Sequence, residues 1–317
     1  MAHTILFHGN CIDGWFSAYI AHSAIKSGPI QMFPIAPGQM NTWPSMNKLV
    51  GTHIIMLDVS VPEKNRAYWM AHGALSINCI DHHSSSIEHW PKDACPINVN
   101  TCAALQTFHH FYPDRPIPFW LVIIDRIDRW ENVSREDRYF REVLNIIAHK
   151  PVQKEMEEAI ALTNQFIADM DDSSKILATL TQGKEILAKK DAELIESLSV
   201  GTIHTLTQDY LNGWKLPANW LNANVFIIDN TNIVFDSTEA AHLIFINNPH
   251  VSVFINYRKK TFYTKGPNPI IKTMYVYSAR SRGFNLTEGT IFNGHPTAAG
   301  ASIEKEKGVF LPFILTP

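Results

Sequence analysis

TILFHGNCIDGWFSAYIAHSAI, residues 4–25, decides how the chain is read. It opens with an apolar run of strand length. It closes with a segment whose apolar residues recur at three- and four-residue spacing, the mark of a helix, and Gly28 lies just beyond as a stop. His8, Cys11 and Asp13 stand where the strand gives way to the helix. An imidazole, a thiol and a carboxylate crowded into one strand-to-helix turn allow two readings: an ordinary turn, or one corner of a metal site.

Working outward, the runs QMFPIA, HIIMLDV, LSINCID and PINV continue the strand pattern, with helical segments between them. Strands alternating with helices imply βαβ units and a parallel sheet, and such sheets bind ligands at the carboxyl ends of their strands. From about residue 134 to 210 the pattern is helical. Between Asp171 and Ser199, Ile176, Leu177, Leu180, Ile186, Leu187, Leu194, Ile195 and Leu198 supply apolar positions among many Lys and Glu residues, as in a packed connector. Gly213 and Pro217 then punctuate the chain. Strands return in NVFIID, NIVFD, VSVFINY, TFYTK and KTMYVYSARS, interrupted by one helix starting near Asp236 and Ser237. Arg258, Lys259 and Lys260 read as a solvated hairpin tip, and His109 and His110 as part of an ordinary helix. The expected organisation is α/β: a parallel-sheet domain over 1–133, a helical connector over 134–212 and a smaller α/β domain over 213–317.

Composition narrows the function classes. In 317 residues, 45% are hydrophobic and 18% charged, which is ample for full cores, and the net charge of −3 argues against a general basic coat for nucleic acid. The four cysteines, Cys11, Cys79, Cys95 and Cys102, form no Cys-x-x-Cys pair, so neither a disulfide framework nor a structural zinc knot is expected. The N-terminus lacks the pattern of a secretory signal, and the longest apolar runs, such as FWLVII, are too short to span a bilayer. A soluble cytoplasmic protein with no membrane partner is the expectation.

Four clusters share one kind of position, at or just after a strand or helix end: His8, Cys11 and Asp13; Asp58 after HIIML; Asp81-His82-His83 after SINCI; and Asp125 with Asp128 in IIDRIDRW. Each has a bland alternative. Asp58 could cap a strand end, and Asp125 and Asp128 could pair with Arg126 and Arg129 along a solvated helix face. Taken together, acidic and imidazole groups leaving adjacent parallel strands converge on one sheet edge, and that donor set suits manganese, iron or zinc better than calcium.

HGNCIDG, LDVS, IDHHSS and IDRIDRW, in that order, resemble the four motifs of the DHH phosphoesterase superfamily, which includes single-strand exonucleases, oligoribonucleases, cyclic-dinucleotide phosphodiesterases and type II inorganic pyrophosphatases. SARS at 278–281 and NGHPTAAG at 293–300 resemble motifs of that superfamily's associated C-terminal domain. The resemblance implies an active site in the interdomain cleft and two divalent ions, with manganese expected and iron, zinc or magnesium as alternatives. His8 would bind one metal; Asp13, His82 and a fourth-motif aspartate the other; Asp58 would bridge. Asp125, which opens the Asp-Arg pair, is the preferred fourth-motif ligand, with Asp128 one helical turn away as alternate. His83 would face the substrate phosphate, and Asp81 would orient a histidine through its ring N–H. Arg280, Ser281, Gly294 and His295 would contact the substrate. Cys11 departs from the pattern, standing where the family has an aspartate. As a thiolate ligand it would shift preference toward zinc or iron; as a plain structural cysteine it would leave the first metal weakly held.

The resemblance therefore implies a metal-dependent phosphodiesterase that hydrolyses short oligonucleotides or related small nucleotides with a metal-activated water, possible as a homodimer. Its alternatives are a phosphatase acting on polyphosphate, pyrophosphate or a nucleotide bisphosphate, and a non-catalytic nucleotide-binding relative.

Overall fold

In the computed structural model, residues 1–36, 42–83, 86, 90, 98–150, 155–207, 218–231, 235, 237–263, 271–282, 293–295 and 298–304 are described. The chain divides into two compact units, 1–188 and 189–317.

The first unit is built on a parallel sheet of β1 (Ala2–His8), β2 (Ile30–Ile35), β3 (Thr52–Leu57) and β4 (Ser76–Ile80), in the order β2-β1-β3-β4. Strict alternation sends Ile5 and Phe7 of β1 to one apolar core and Leu6 to another. This is why the strand reads as an unbroken apolar run: both faces of a parallel sheet are covered. One core is closed by α1 (Ile12–Ala24), α3 (Ala103–Phe111), α4 (Phe119–Arg129), α5 (Arg135–Ala148) and α6 (Met156–Asp169). The other takes Trp69 from α2 (Glu63–Ala71), with Trp90 beside it. The run PINV falls partly outside the described residues.

Helix α1 is buried from Ile12 to Ala21, so it runs through the core. Two of its polar atoms find partners on α6: Trp15 Nε1 donates to Thr163 Oγ1 at 2.9 Å, and the Tyr19 hydroxyl donates to Asn164 at 2.6 Å. Its start depends on Gly14. A Cβ there would stand 2.2 Å from the His8 carbonyl oxygen and 2.9 Å from the His8 Cβ. Only glycine lets the helix leave the strand this tightly. Gly14→Ala is therefore expected to destabilise the protein by ~1–3 kcal/mol, a cost typical of overpacking against groups that cannot move aside. Urea unfolding monitored by circular dichroism measures it, and an unchanged midpoint would refute it.

The second unit carries a mixed sheet ordered β5-β6-β7-β8-β10-β9 among the described residues: β5 (Thr202–Thr205), β6 (Asn224–Asp229), β7 (Val251–Tyr263), β8 (Ile271–Ser281), β9 (Asn293–His295) and β10 (Ala298–Glu304). Within that sheet only β6 and β7 pair in parallel. Helix α8 (Ser237–Asn247) contributes Ala240, Ala241 and Ile244 to a core with Phe226, Ile228, Val251 and Phe254. VSVFINY and the first three residues of TFYTK form one long strand rather than two, the rest of TFYTK lying outside the described residues. Arg258, Lys259 and Lys260, expected at a hairpin tip, lie instead inside β7, in register with Val276, Tyr275 and Met274 of β8. The stronger turn formers, Gly266 to Pro269, come later in the sequence. NIVFD falls almost wholly outside the described residues.

The long helix α7 (Ser173–Leu198) belongs to both units by its packing. Ile176 and Leu180 pack on the first unit's core, while Leu194 and Leu198 join the second unit's core. Leu177 and Ile195 are half exposed or more. No helix among the described residues is long and apolar enough to cross a membrane.

Candidate metal centre

Because β1, β3 and β4 are parallel neighbours, their last residues fall on one edge of the sheet. His8 ends β1, Asp58 follows β3, and Asp81, His82 and His83 follow β4. Asp58 sits in left-handed backbone conformation at φ 57°, pinned by its N–H donating to the Ile80 carbonyl at 3.0 Å. A non-glycine residue held there costs about 1–3 kcal/mol and persists only where its surroundings fix it. The strain turns the carboxylate across the sheet edge, toward the turns after β1 and β4.

Three overlapping groups of metal-ligand atoms result, each lying within 4.8 Å: His8, Cys11 and Asp58; Asp58, His82 and His83; and Asp13, His82 and Asp128. His8 Nδ1 lies 3.1 Å from Asp58 Oδ2, and His82 Nε2 lies 3.3 Å from Asp58 Oδ1, 3.4 Å from Asp128 Oδ2 and 3.7 Å from Asp13 Oδ2. Asp13 and Asp58 are almost wholly buried, at 1% and 2% exposure. Asp58 Oδ1 and Asp128 Oδ2 are buried without a hydrogen-bond partner. Buried carboxylate oxygens are costly unless paired or coordinated, so these two oxygens, surrounded by imidazole and carboxylate groups, fit coordination to a divalent metal.

Charge in the centre is correspondingly unbalanced. Burial, Asp58 and Asp128 push the Asp13 carboxyl well above its usual range. Burial and Asp58 raise Asp128 to about 6. Burial, with Asp58, Asp128 and Asp13 adding, pushes the half-buried Cys11 thiol up. Asp58 goes the other way: burial opposes its ionisation, but its hydrogen bond with His8 and the close His82 ring hold it below the ordinary carboxylate range. His82, despite its burial, is carried to about 10 by the Asp58 carboxylate beside it and by the Asp128 and Asp13 charges. The raised Asp13, Asp128, Cys11 and His82 all record one condition: gathered carboxylates make the centre favour added positive charge.

Asp81 is spent on local architecture. It accepts from the backbone N–H of His82 and of His83, at 2.7 and 3.2 Å, from His83 Nδ1 at 2.7 Å and from the Ser86 hydroxyl at 2.6 Å. It thereby fixes the His83 ring, whose side chain keeps 41% exposure, and its bond is the main cause that raises His83. Asp13 accepts from the backbone N–H of Ala103 and Ala104, at 2.8 and 2.6 Å, which caps α3 from outside that helix.

Of the two fourth-motif aspartates, the structure brings Asp128 to the cluster and sets Asp125 behind it. Asp125 accepts from the Cys102 N–H at 2.7 Å and from Arg129 Nη2 at 2.7 Å and Nε at 3.2 Å. Arg129 also bonds Glu131, while Arg126 pairs with Asp137 at 3.1 Å. Arg129 and Ser86 are site residues that the sequence reading misses. Arg129 carries a findable signal, the four-residue spacing from Asp125; Ser86 carries none.

The remaining expected site residues belong to the second unit. Arg280 is on β8, opposite Phe254 and Ala298, and its guanidinium donates to Thr238 Oγ1 at 3.2 Å, Ser278 Oγ at 3.1 Å and the Ala279 carbonyl at 2.8 Å. Ser281 is buried at the end of that strand. Gly294 and His295 are on β9, paired with Ala299 and Ala298.

The α/β fold, with its four-stranded parallel sheet and second mixed sheet, is shared with solved structures of other proteins. A pGpG-specific phosphodiesterase from Vibrio cholerae matches over 96% of this chain and 94% of its own, at 14% identity and a TM-score of 0.50. An uncharacterised protein of Helicobacter pylori matches over 96% and 94%, at 14% identity and a TM-score of 0.46. The exonuclease RecJ from Thermus thermophilus, in complex with manganese, matches over 96% of this chain and 50% of its own, at 11% identity and a TM-score of 0.41. No protein-family model and no curated sequence matches the chain.

Proposed function

We propose that the chain is a divalent-metal-dependent phosphodiesterase that hydrolyses short oligonucleotides or related small nucleotides. One observation carries the reading: three carboxylates, of Asp13, Asp58 and Asp128, are gathered around His8 and His82 at the carboxyl edge of a parallel sheet, with two buried oxygens left unpaired. His8 and Asp58 would hold one cation, and Asp13, His82 and Asp128 the other, and Asp58 also shares a ligand group with His82. Two bound divalent ions supply Lewis acidity and a water acidified enough to attack phosphorus near neutral pH.

The chain's own residues do the rest. Asp81 holds the His83 ring by Nδ1 and favours its protonated form, which places it to donate to a phosphoryl oxygen as charge builds there. The sheet, through the pinned backbone of Asp58, keeps the ligands in place before substrate arrives. In the same reading, Arg280, Ser281, Gly294 and His295 are assigned to substrate recognition. The fold shared with a pGpG-specific phosphodiesterase supports a dinucleotide as substrate.

End-labelled RNA dinucleotides, pGpG among them, incubated with the protein and manganese are expected to yield mononucleotides, and excess chelator is expected to stop the reaction. No product with manganese, magnesium, zinc or iron would overturn the proposal. Release of phosphate from polyphosphate or a nucleotide bisphosphate in its place would make the protein a phosphatase.

A further inference from the structure

Cys11 stands at the position that precedes α1, with extended backbone at φ −128° and ψ 135°. Residues there ordinarily offer a side-chain oxygen to the exposed N–H groups of the first turn, which is why Ser, Thr, Asp and Asn are favoured. Cys11 offers a sulfur where those residues offer an oxygen. That sulfur lies within 4.8 Å of the ligand atoms of His8 and Asp58, one of whose oxygens is a buried orphan. The other described cysteines are placed differently. Cys79 lies in an apolar core with its thiol donating to the Val59 carbonyl at 3.7 Å, and Cys102 belongs to none of the three ligand groups.

We infer that Cys11 is a direct thiolate ligand and that it makes the two metal positions chemically unequal: the His8–Cys11–Asp58 position selects a thiophilic divalent ion such as zinc, iron(II) or cobalt(II), and the Asp13–His82–Asp128 position takes a harder ion such as manganese or magnesium. The inference rests on the two-metal reading above. Nitrogen, sulfur and one carboxylate make a borderline-soft set, whereas two carboxylates and one imidazole make a hard one. As the sulfur–metal bond forms, the thiol proton leaves to solvent, so the ligand carries the single negative charge that a carboxylate would carry there.

Cobalt(II) titration of the full chain, followed by absorption, tests this. A thiolate bound to cobalt gives an intense near-ultraviolet charge-transfer band that nitrogen and oxygen ligands do not. The band is expected in the wild type and in Cys102→Ser, saturating at one of two bound ions, and is expected to be lost in Cys11→Asp and Cys11→Ser. Replacing groups one shell removed from a metal costs about 10–100-fold in affinity, so exchanging the sulfur itself by Cys11→Asp should lower the zinc-to-magnesium preference by at least about tenfold. Two cobalt ions bound without the band, or a band that persists in both Cys11 variants, would overturn the inference and leave the two-metal reading standing. Failure to bind any cobalt, together with no hydrolysis, would overturn both.

Discussion

Asp58→Asn is expected to abolish hydrolysis, lowering the rate by ~10²–10³-fold or more, because it removes the one charge on which both proposed metal positions depend. Asp58 shares a ligand group with His8 and Cys11 and another with His82 and His83, and its Oδ1 lies 3.3 Å from the His82 nitrogen that also faces Asp13 and Asp128. Asparagine keeps the shape and the tolerance for left-handed backbone that φ 57° demands. What it loses is one formal charge, and it places an amide where an unpaired oxygen was. The fold should therefore survive while bound metal falls from two ions to one or none. Metal content by mass spectrometry and the dinucleotide assay read the two effects separately. A variant that keeps both ions, or a rate within tenfold of wild type, would remove Asp58 from the centre.

Much of this centre is legible in the sequence because the backbone does the gathering. Once the first segments are read as parallel strands, their ends must share an edge, and His8, Asp58 and the Asp81-His82-His83 run are placed together without knowledge of any side-chain torsion. What escapes is the assignment among groups whose partners are distant in sequence. Asp125 and Asp128 are one turn apart on α4, and both precede an arginine. The difference between them lies in the Cys102 backbone N–H, 23 residues away, and in Arg129, which both donate to Asp125 and hold it out of the cluster. Asp13 likewise caps α3, some 90 residues on, a duty invisible in a local motif. The strand containing Arg258 and Lys259 is misread for a related reason: a basic run suggests a turn only while the longer partner strand is unknown.

In metal-free protein, Asp128→Asn is expected to stabilise the fold, though it damages the site. An Asp raised from 3.8 to about 6 binds its proton more tightly folded than unfolded. Stability therefore falls as pH rises through the window between those values, and the full cost, on the order of 1–3 kcal/mol, is present above it. The attraction of His82 is already contained in that balance, so removing the Asp128 charge is a net gain. Below pH ~4 both states hold the proton and the variant's advantage vanishes. His82 acts in the opposite sense. Raised to about 10, it contributes stability that is complete below its ordinary value of 6.5 and is lost as pH climbs through about 10. Thermal melts in chelator from pH 4 to 10 should therefore show the Asn variant melting higher than wild type from about pH 6 upward. Wild type itself should weaken further in the alkaline limb. Saturating manganese must reverse the order, because each occupied site adds about 2.7 kcal/mol at a hundred times its dissociation constant and the variant has lost a ligand from one of them. A variant less stable than wild type at pH 8 without metal would mean that Asp128 is compensated where it sits, and that the centre holds no excess charge for a cation to neutralise.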